Sequence, residues 1–597
     1  MNAQAMKNFL LLVGILLAGT SVEAQLNFSD RAGQCGINHR YLSSLLGGGV
    51  SFYDFNQDGL DDISLANAQG DPVQFYQNMG GHFMLLSPLV DNEDEVKQLL
   101  WVDFDNDGDQ DLFLATYYGL NRLYENTGDL QMIDITLAAG LPTFNTQTFG
   151  ACFGDYDRDG WVDLYFSVRN NGADDEHLFF RNNGDQTFTN VTESTQTADT
   201  GGRPFCSGFL DYNQDGWPDI YTAHDRMGNK NTLLENQGDG TFLNTGAAAG
   251  ADIAIDAMSV TIGDYNNDTL IDIYVTNIVN GNNLLHNNGP NEDGQYTFSE
   301  VAAASGVGFY QDSWGAVFLD ADNDCDLDLY VSGSVAGSDV TSAAFYQNED
   351  DGTFSEPDLG FIGDTTQSYN NAIGDYNQDG YPDIMVINLY PFYAQLWSSP
   401  PLEHHWMKVS LQGVISNRNG IGTRLECYAN DKYQQLYTQC GNGFLGQNSG
   451  TSIFGLGDAQ AVDSLIVTWP SGHTDRYYNL PAGEQFHLQE GGSTGGDILP
   501  DPDTGLDALL VSTSAPTDNP LLKVYPNPAQ EELFIVQELA SPTQFRIINS
   551  AGQLVYRGKT APGGTSPIDI HQLPAGIYYL LLGSEKQATQ VVAWYKG

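Results

Sequence analysis

The sequence predicts an all-β chain: a seven-bladed β-propeller, a small β-rich domain after it, and a β-sandwich at the C-terminus. Three observations carry that prediction. An acidic nonapeptide recurs seven times at intervals of 49 to 56 residues, each copy is flanked by short strand-like segments, and the sequence changes character twice beyond residue 400. The 597 residues allow about three to five domains. Lys and Arg total 22 against 77 Asp and Glu, a net charge of -55. That balance argues against a nucleic-acid partner, which needs a basic footprint, and makes cations the natural partners. With 41% hydrophobic residues, 31 Tyr and 30 Phe, the chain carries more apolar surface than a disordered one.

Residues 1–24 read as a secretory signal peptide: Lys7 precedes the apolar run FLLLVGILLAG at 9–19, and the small residues Val22 and Ala24 lead to Gln25. The run is short for a bilayer and no later run of 18 apolar residues follows, so no transmembrane span is expected in the mature chain. Six cysteines fit an exported chain but are too sparse for a disulfide scaffold. Cys427 and Cys440 lie on neighbouring β-like segments, and Cys152 and Cys206 precede consecutive repeats. These are the two candidate pairs, with free buried thiols as the alternative.

The propeller is assigned to residues 25–402. Each acidic copy follows an alternating apolar segment such as GVSFY or SVTIG and precedes another such as DLFLAT or DIYVTN, so it joins two strands. A third strand follows, as in RLYEN, HLFFRN, TLLEN and AFYQN, then a turn such as NQGDGTF and a shorter fourth segment. Four short strands in about 50 residues is the pattern of a propeller blade. The seventh unit lacks a fourth strand after QLWSSPP at 395–401, and LNFSDRAG at 26–33 has the character of the missing element. The N-terminal segment is therefore expected to close the ring and remove an open edge.

The nonapeptide is Asp or Asn at four fixed places. Position 1 is Asp54, Asp103, Asp155, Asp211, Asp264, Asp320 and Asp375; position 3 is Asn56, Asp105, Asp157, Asn213, Asn266, Asp322 and Asn377. Position 5 is Asp58, Asp107, Asp159, Asp215, Asp268, Asp324 and Asp379; position 9 is Asp62, Asp111, Asp163, Asp219, Asp272, Asp328 and Asp383. Oxygen-only ligands at alternate places in a tight loop suit Ca2+, with up to seven sites, better than Mg2+, which keeps its waters and demands a strict octahedron. An EF-hand needs Glu at position 12, where this chain has Leu65, Leu114, Phe166, Thr222, Val275, Val331 and Val386. Position 6 is Gly in five copies, while Thr269 and Cys325 replace it in the fifth and sixth, so strain or weaker binding is expected there. The seven loops hold 27 of the 77 acidic residues, a repulsive density unless a cation intervenes.

These repeats resemble the FG-GAP/VCBS family over roughly residues 26–400. The resemblance implies a seven-bladed propeller with calcium in the D-x-D-x-D-G-x-x-D loops. Residues 403–490 form a β-rich segment whose phrases SNRNGIG, FGLG and WPSG resemble the ASPIC/UnbV domain of cartilage acidic protein-like chains, a resemblance that implies no established reaction. Asn417, Arg418, Gly420, Gly422, Trp469 and Gly472 match its recurrent positions, and turn and core roles are the plainer explanation for them. His404 and His405 read as a domain junction, since no third metal ligand accompanies them. Residues 491–522, rich in Gly, Ser, Thr, Pro and Asp, read as a flexible linker. Its GGSTG matches a nucleophile elbow only in letters, without the strand and helix that motif needs.

From Lys523 the charge turns slightly positive, with 6 basic and 5 acidic residues to the end. KVYPNPA, ELFIV, FRIINSAGQLVYRG and LPAGIYYLLL read as a small Ig-like β-sandwich over 523–597. Their order resembles the type A sorting domain of type IX secretion substrates. That resemblance implies contact with the type IX machinery and a mature protein secreted or attached to the outer cell surface.

Function follows in two readings. The first is a calcium-binding adhesion or ligand-recognition module for an extracellular glycan or surface protein. The loops between second and third strands, TYYGLN, AHDRMGNKN and NLYPFY, should lie opposite the calcium loops. Tyr117, Tyr118, His224, Arg226, Tyr390 and Phe392 are the candidate contacts, with loop packing as the alternative. The second reading is a calcium-dependent polysaccharide lyase or hydrolase. Against it, the repeat uses nearly every clustered carboxylate and no H-E-x-x-H motif occurs, so no catalytic residue is assigned. A third arrangement makes the ASPIC/UnbV-like domain the active part and the propeller its scaffold.

Overall fold

The computed structural model describes residues 26–42, 46–169, 177–199, 202–278, 280–333, 343–361 and 364–492, together with the strands between 522 and 596. The expected signal peptide and all but the edges of the expected linker lie outside the described residues. Residues up to 493 fall in one compact unit, and the strands from Leu522 onward belong to a second.

In the first unit each repeat becomes one antiparallel sheet. Val50–Tyr53, Asp62–Leu65, Gln74–Asn78 and Phe83–Leu85 lie side by side in chain order. The same four-strand meander recurs between Glu95 and Asp134, Thr148 and Asn190, Pro204 and Asn244, Thr261 and Glu300, and Ser313 and Ser355. A seventh sheet takes Ser368–Gly374, Asp383–Asn388 and Gln395–Ser398 from one end of the repeat region and Ser29–Asp30 from the other. Ser29 and Asp30 pair antiparallel with Ser398 and Trp397, so the N-terminal segment supplies its fourth strand.

Burial grades across each sheet. Glu95–Val102, Thr148–Gly154, Pro204–Leu210 and Ser313–Leu319, all first strands, are buried at every residue, whereas fourth strands such as Phe83–Leu85 and Phe188–Asn190 bury only their Phe. First strands have neighbours on both faces and fourth strands lie at the outer edge of each sheet, which is why only the latter expose side chains such as Met84, Leu85, Thr189 and Asn190. Aromatic side chains fill the wedges between neighbouring sheets. Phe55 of the first acidic loop stacks on Trp101 of the second sheet at 4.9 Å, with Phe75 edge-on at 5.8 Å.

Residues 405–489 form two further sheets. His405–Gln412 lies between Ser452–Gly457 and, in parallel, Gln485–Gln489. Lys432–Tyr437, Arg424–Ala429, Ala461–Thr468 and Thr474–Pro481 make the other. Their core holds Met407, Val409, Leu425, Cys427, Phe454, Leu465, Val467 and Trp469.

The segment 439–449, QCGNGFLGQNS, leaves this core and enters the propeller axis. The Phe153 N–H donates to the Cys440 carbonyl at 3.0 Å, and Val260 and Gly443 exchange backbone bonds. Gly446 and Gln447 pair in parallel with Val50 and Ser51. The Gln447 side chain accepts from the Trp101 N–H at 2.8 Å and donates to its carbonyl at 2.7 Å, while Asn370 donates to the Leu445 carbonyl at 2.9 Å. Two glycines make the entry sterically feasible: a Cβ on Gly441 would stand 2.6 Å from the Ala151 carbonyl, and one on Gly446 2.8 Å from that of Asn371. Phe444 and Leu445 pack at the centre among Tyr117, Phe149, Phe205, Met258, Trp314 and Tyr369, contributed by six different blades.

The six cysteines are free thiols, so neither expected pair exists. Cys440 travels into the axis with the inserted segment while Cys427 stays in the core of the β-rich domain. Cys206 donates to the Met258 carbonyl at 3.0 Å, and Cys152 packs with Tyr156 and Phe209.

The second unit is described by itself. Leu522–Tyr525, Glu532–Gln537 and Thr565–Asp569 form one sheet; Leu554–Lys559, Gln544–Asn549, Gly576–Ser584 and Gln587–Lys596 form another, and every pairing is antiparallel. Among the described residues no helix is long and apolar enough to cross a membrane.

Because Phe444 is buried in contact with several blades, Phe444→Ala is expected to destabilise the chain by about 3–5 kcal/mol. The shift of the urea midpoint at constant slope measures it, and a loss under about 1 kcal/mol contradicts the packing role.

Candidate metal centres

All seven nonapeptides sit between the first and second strands of their sheets, and position 9 is in each case the first residue of the second strand. Their backbones are alike. Position 4 is left-handed in every copy (Gln57, Asn106, Arg158, Gln214, Asn267, Asn323 and Gln378), and so is position 6, including Thr269 at φ 78° and Cys325 at φ 82°. The position 6 N–H donates to the position 1 carboxylate at 2.8–3.0 Å in all seven loops. The position 7 N–H donates to the position 5 carboxylate at 2.8–3.3 Å. Replacing Gly therefore did not change the loop; it left two side chains in a conformation that L-residues disfavour.

Position 9 does two jobs. One oxygen of Asp111, Asp163, Asp219, Asp328 and Asp383 accepts the position 2 N–H of its own loop at 3.1–3.3 Å. The other oxygen accepts a third-strand Asn N–H, as for Asn78, Asn126, Asn182, Asn236, Asn287 and Asn348, at 2.7–2.9 Å.

Ligand atoms of Asp103, Asp105 and Asp111 lie within 4.8 Å of one another, as do those of Asp155, Asp157 and Asp163, and of Asp320, Asp322 and Asp324. In the other four loops position 3 is Asn, and its amide donates to the position 5 carboxylate of Asp58, Asp215, Asp268 or Asp379 at 2.8–3.1 Å. Among the described residues, buried oxygens of Asp62, Asp103, Asp157, Asn266 and Asp272 have no hydrogen-bond partner. Burial, with neighbouring carboxylates adding, pushes Asp54 up to about 6, Asp103 to about 7, Asp155 and Asp264 to about 8 and Asp111 to about 9. Asp163, Asp320 and Asp328 are raised well above the carboxylate range for the same reason. Convergent oxygens with unfilled lone pairs and repelling charge are a donor set for a hard divalent cation, and positions 1, 3, 5 and 9 are the residues able to hold one.

FG-GAP-like repeat families match residues 103–166, 211–275 and 264–331; the family described as ASPIC and UnbV matches 413–495; and the secretion system C-terminal sorting domain matches 523–593. The chain carries all three modules. Cartilage acidic protein 1 of Xenopus tropicalis is 24% identical over 481 residues, covering 71% of this chain and 70% of the relative. The Mus musculus protein of that name is 28% identical over 176 residues, 27% of this chain and 26% of the relative. Among solved structures, the BBS1N chain in complex with ARL6DN is similar at TM-score 0.39 and 12% identity, covering 64% of this chain and 100% of that one. The Dos1 propeller is similar at TM-score 0.32 and 10% identity, covering 60% and 95%. The fold rests on the chain's own sheets, not on these low scores. The sorting domain directs the protein to the type IX machinery, hence to the cell surface or the extracellular space.

The ASPIC and UnbV domain lies on the acidic-loop side of the FG-GAP-like propeller. Lys408 reaches the position 1 carboxylate of Asp375 at 2.9 Å with both groups buried, and the Arg418 guanidinium stands 3.5 Å from that of Asp103. Backbone and side-chain contacts surround these cations: Arg418 N–H to Asn106, Asp103 N–H to Asn419, Arg158 to the Pro470 carbonyl, and Gly457 N–H to the Asn323 carbonyl. A cavity of about 480 Å³ remains between the domain and the first, second and seventh loops, lined by Asp54, Asp61, Asp103, Asp375, Lys408 and Arg418. Of the residues matching the recurrent ASPIC and UnbV pattern, Asn417 clasps Ile421 by two bonds of 2.8 Å and buried Trp469 donates to Asp475, which are turn and core roles; Arg418 alone turns to an acidic loop. His404 bonds the Asp322 carbonyl and His405 meets Gln460, so the pair is a junction.

Two sets of residues escaped the sequence reading. Position 4 reaches the position 6 carbonyl of the next loop: Gln57 to Gly108, Asn106 to Gly160, Gln214 to Thr269, Asn267 to Cys325, Asn323 to Gly380, and Gln378 back to Gly59, at 2.5–3.1 Å. Arg158 makes the remaining link by lying over the Trp217 ring. The third-strand Asn adds a second tie, to the position 2 carbonyl of the preceding blade, for Asn78, Asn182, Asn236, Asn287 and Asn348 at 2.8–2.9 Å. The signal was in the sequence: position 4 is amide or Arg in every copy, and RLYEN, HLFFRN, TLLEN and AFYQN all end in Asn.

Thr269 is exposed and held at positive φ, so Thr269→Gly is expected to raise stability by about 1 kcal/mol. Denaturant titration measures the gain; a loss of the same size contradicts the strain.

Proposed function

We propose that the mature protein is a secreted or surface-held recognition module whose acidic loops bind Ca2+ as structural braces and whose opposite rim meets an extracellular glycan. The observation that carries this reading is the position of the ASPIC and UnbV domain. It covers the acidic loops, and its segment 439–449 fills the axis with Phe444 and Leu445, where a propeller enzyme would hold its substrate. Calcium there supports architecture. It supplies charge compensation for the buried carboxylates, while Lys408 and Arg418 already give part of that compensation to the seventh and second loops. The third loop, with Asp155, Asp157, Asp159 and Asp163 and, among the described residues, no Lys or Arg ion-paired with it, is the strongest calcium candidate.

The opposite rim remains for recognition. Tyr118, Tyr310, Tyr390 and Tyr393 are exposed there, Arg226 projects into solvent, and Arg40 stacks on the Tyr393 ring at 3.8 Å. Aromatic faces beside guanidinium groups suit sugar rings and acidic substituents. The expected contact set narrows accordingly: Tyr117 and His224 are buried and turned away from solvent, Phe392 is half-buried, and Tyr118, Arg226 and Tyr390 stay available.

Two measurements test this. A glycan array with calcium is expected to give binding that Tyr390→Ala or Arg226→Ala weakens about tenfold, without new reducing or unsaturated ends on soluble polysaccharides; turnover, or binding only to a protein, overturns the glycan reading. For the braces, groups whose folded pKa is raised stabilise the fold below the unfolded value and lose that contribution as pH rises through the raised one. With Asp54 at about 6, Asp103 at about 7 and Asp155 at about 8, the metal-free melting temperature should fall between about pH 5 and pH 8. Added Ca2+ should raise it most at pH 8, and superimposable melts with calcium and with chelator contradict the braces.

A further inference from the structure

Away from the acidic loops, the third and fourth blades bring together two imidazoles and a carboxylate. His177 directly precedes the strand Leu178–Asn182, Asp199 lies in the connection that leads to Pro204–Leu210, and His224 ends the strand Asp219–His224. One ligand atom from each falls within 4.8 Å of the other two. Both histidines are buried, at 0% and 1% exposure, while the Asp199 side chain is 21% exposed, so the cluster is closed on its imidazole side and open at the carboxylate.

The hydrogen bonding leaves this cluster incomplete. Asp199 takes the His224 ring at 2.9 Å and the Thr232 hydroxyl at 2.5 Å. Among the described residues, His177 has no hydrogen-bond partner at either ring nitrogen, and His224 has none at Nδ1. The two imidazole rings stand 5.5 Å apart, with the other face of His177 against Tyr165. A fully buried imidazole with neither nitrogen satisfied is destabilising unless something absent from the protein's own atoms meets it.

We propose that His177, Asp199 and His224 bind a divalent first-row transition ion of the Zn2+ class, linking the third and fourth blades on the face opposite the acidic loops. Two nitrogens and one carboxylate oxygen are ligands of that class, whereas Ca2+ takes oxygen only, so the molecule separates two ions by chemistry and by face. Tetrahedral ligands each about 2.1 Å from a common ion lie about 3.4 Å apart, so the cluster closes by at most about 1.4 Å to hold it. The Thr232 hydroxyl donates to the same Asp199 oxygen that meets His224 and so fixes the carboxylate's orientation. The open side at Asp199 leaves a fourth position for water. In the metal-free state the His224–Asp199 hydrogen bond occupies the place of the ion, and a neutral His224 that binds through Nε2 carries its single proton at Nδ1 instead, so no net proton is lost.

The test uses the full chain, stripped by chelator and then saturated with Ca2+ so that oxygen sites are occupied. Zn2+ titrated by calorimetry is expected to show one tight, saturable equivalent. Co2+ in its place should give the visible absorption of a low-coordinate nitrogen and oxygen site. His177→Gln and Asp199→Asn should each weaken Zn2+ by about 100-fold or more, with the calcium-loaded melting temperature of the metal-free variants close to that of the parent. Unchanged Zn2+ affinity in His177→Gln, or no saturable equivalent in the parent, overturns the proposal. Should a variant fail to fold, anomalous diffraction of the Zn2+-soaked parent at the zinc edge decides: a peak between His177 and His224 supports the site, and a zinc peak elsewhere or none overturns it.

Discussion

Seven sheets arranged around an axis leave a centre that their own first strands do not fill, and in this chain a second domain fills it. The segment 439–449 contacts strands from around the ring through backbone bonds to Phe153, Val260 and Val50, side-chain bonds to Trp101 and Asn370, and the apolar pair Phe444 and Leu445. Once it is seated, the orientation of the ASPIC and UnbV domain follows. Its other loops are brought down over the acidic ends of the blades, where Lys408, Arg418 and a set of backbone groups meet them. The propeller and this domain are for that reason one compact unit and not two beads on a chain.

That arrangement sets an electrostatic problem. A domain placed over 27 acidic loop residues removes water from carboxylates such as Asp103, Asp155 and Asp320, and burial raises their pKa values. Two cationic side chains cover a small part of the charge. The remaining compensation has to come from protons or from cations, and the convergent geometry of the second, third and sixth loops suits cations. The circumferential amides at position 4 hold the loops in register meanwhile, so charge compensation at one loop is mechanically linked to its neighbours.

Much of this was legible in the sequence because repetition is a local signal. Positions 1, 3, 5 and 9, the strand before and after each loop, and the missing fourth strand of the last repeat can be read from spacing alone. The position 4 amides were equally visible, but an exposed Gln or Asn in an acidic loop looks like solvation until its partner 51 residues away is known, as with Gln57 and Gly108. The inserted segment was not legible. GNGFLGQNSG reads as a glycine-rich turn, since what makes Phe444 and Leu445 central is a set of aromatic residues from five blades, none adjacent in sequence. The cysteine expectation failed for a related reason. Neighbouring strand segments bring backbones together, but Cys440 is carried into the axis by the insertion, away from Cys427. His224 and Tyr117 looked like rim residues because they fall in the segments read as loops between second and third strands, and instead they lie in the second strands and are buried.

The central claim is that the inserted segment and the blades form a single cooperative structure. Hydrogen exchange of the calcium-loaded full chain, read by mass spectrometry, tests it most directly. Residues 439–449 and the first strands they touch, such as Val50–Tyr53 and Thr148–Gly154, should exchange through one shared opening with the same free energy. Rapid exchange of 439–449 while those strands remain protected would contradict the claim, because the second domain would then be a detachable lid on an independently stable ring.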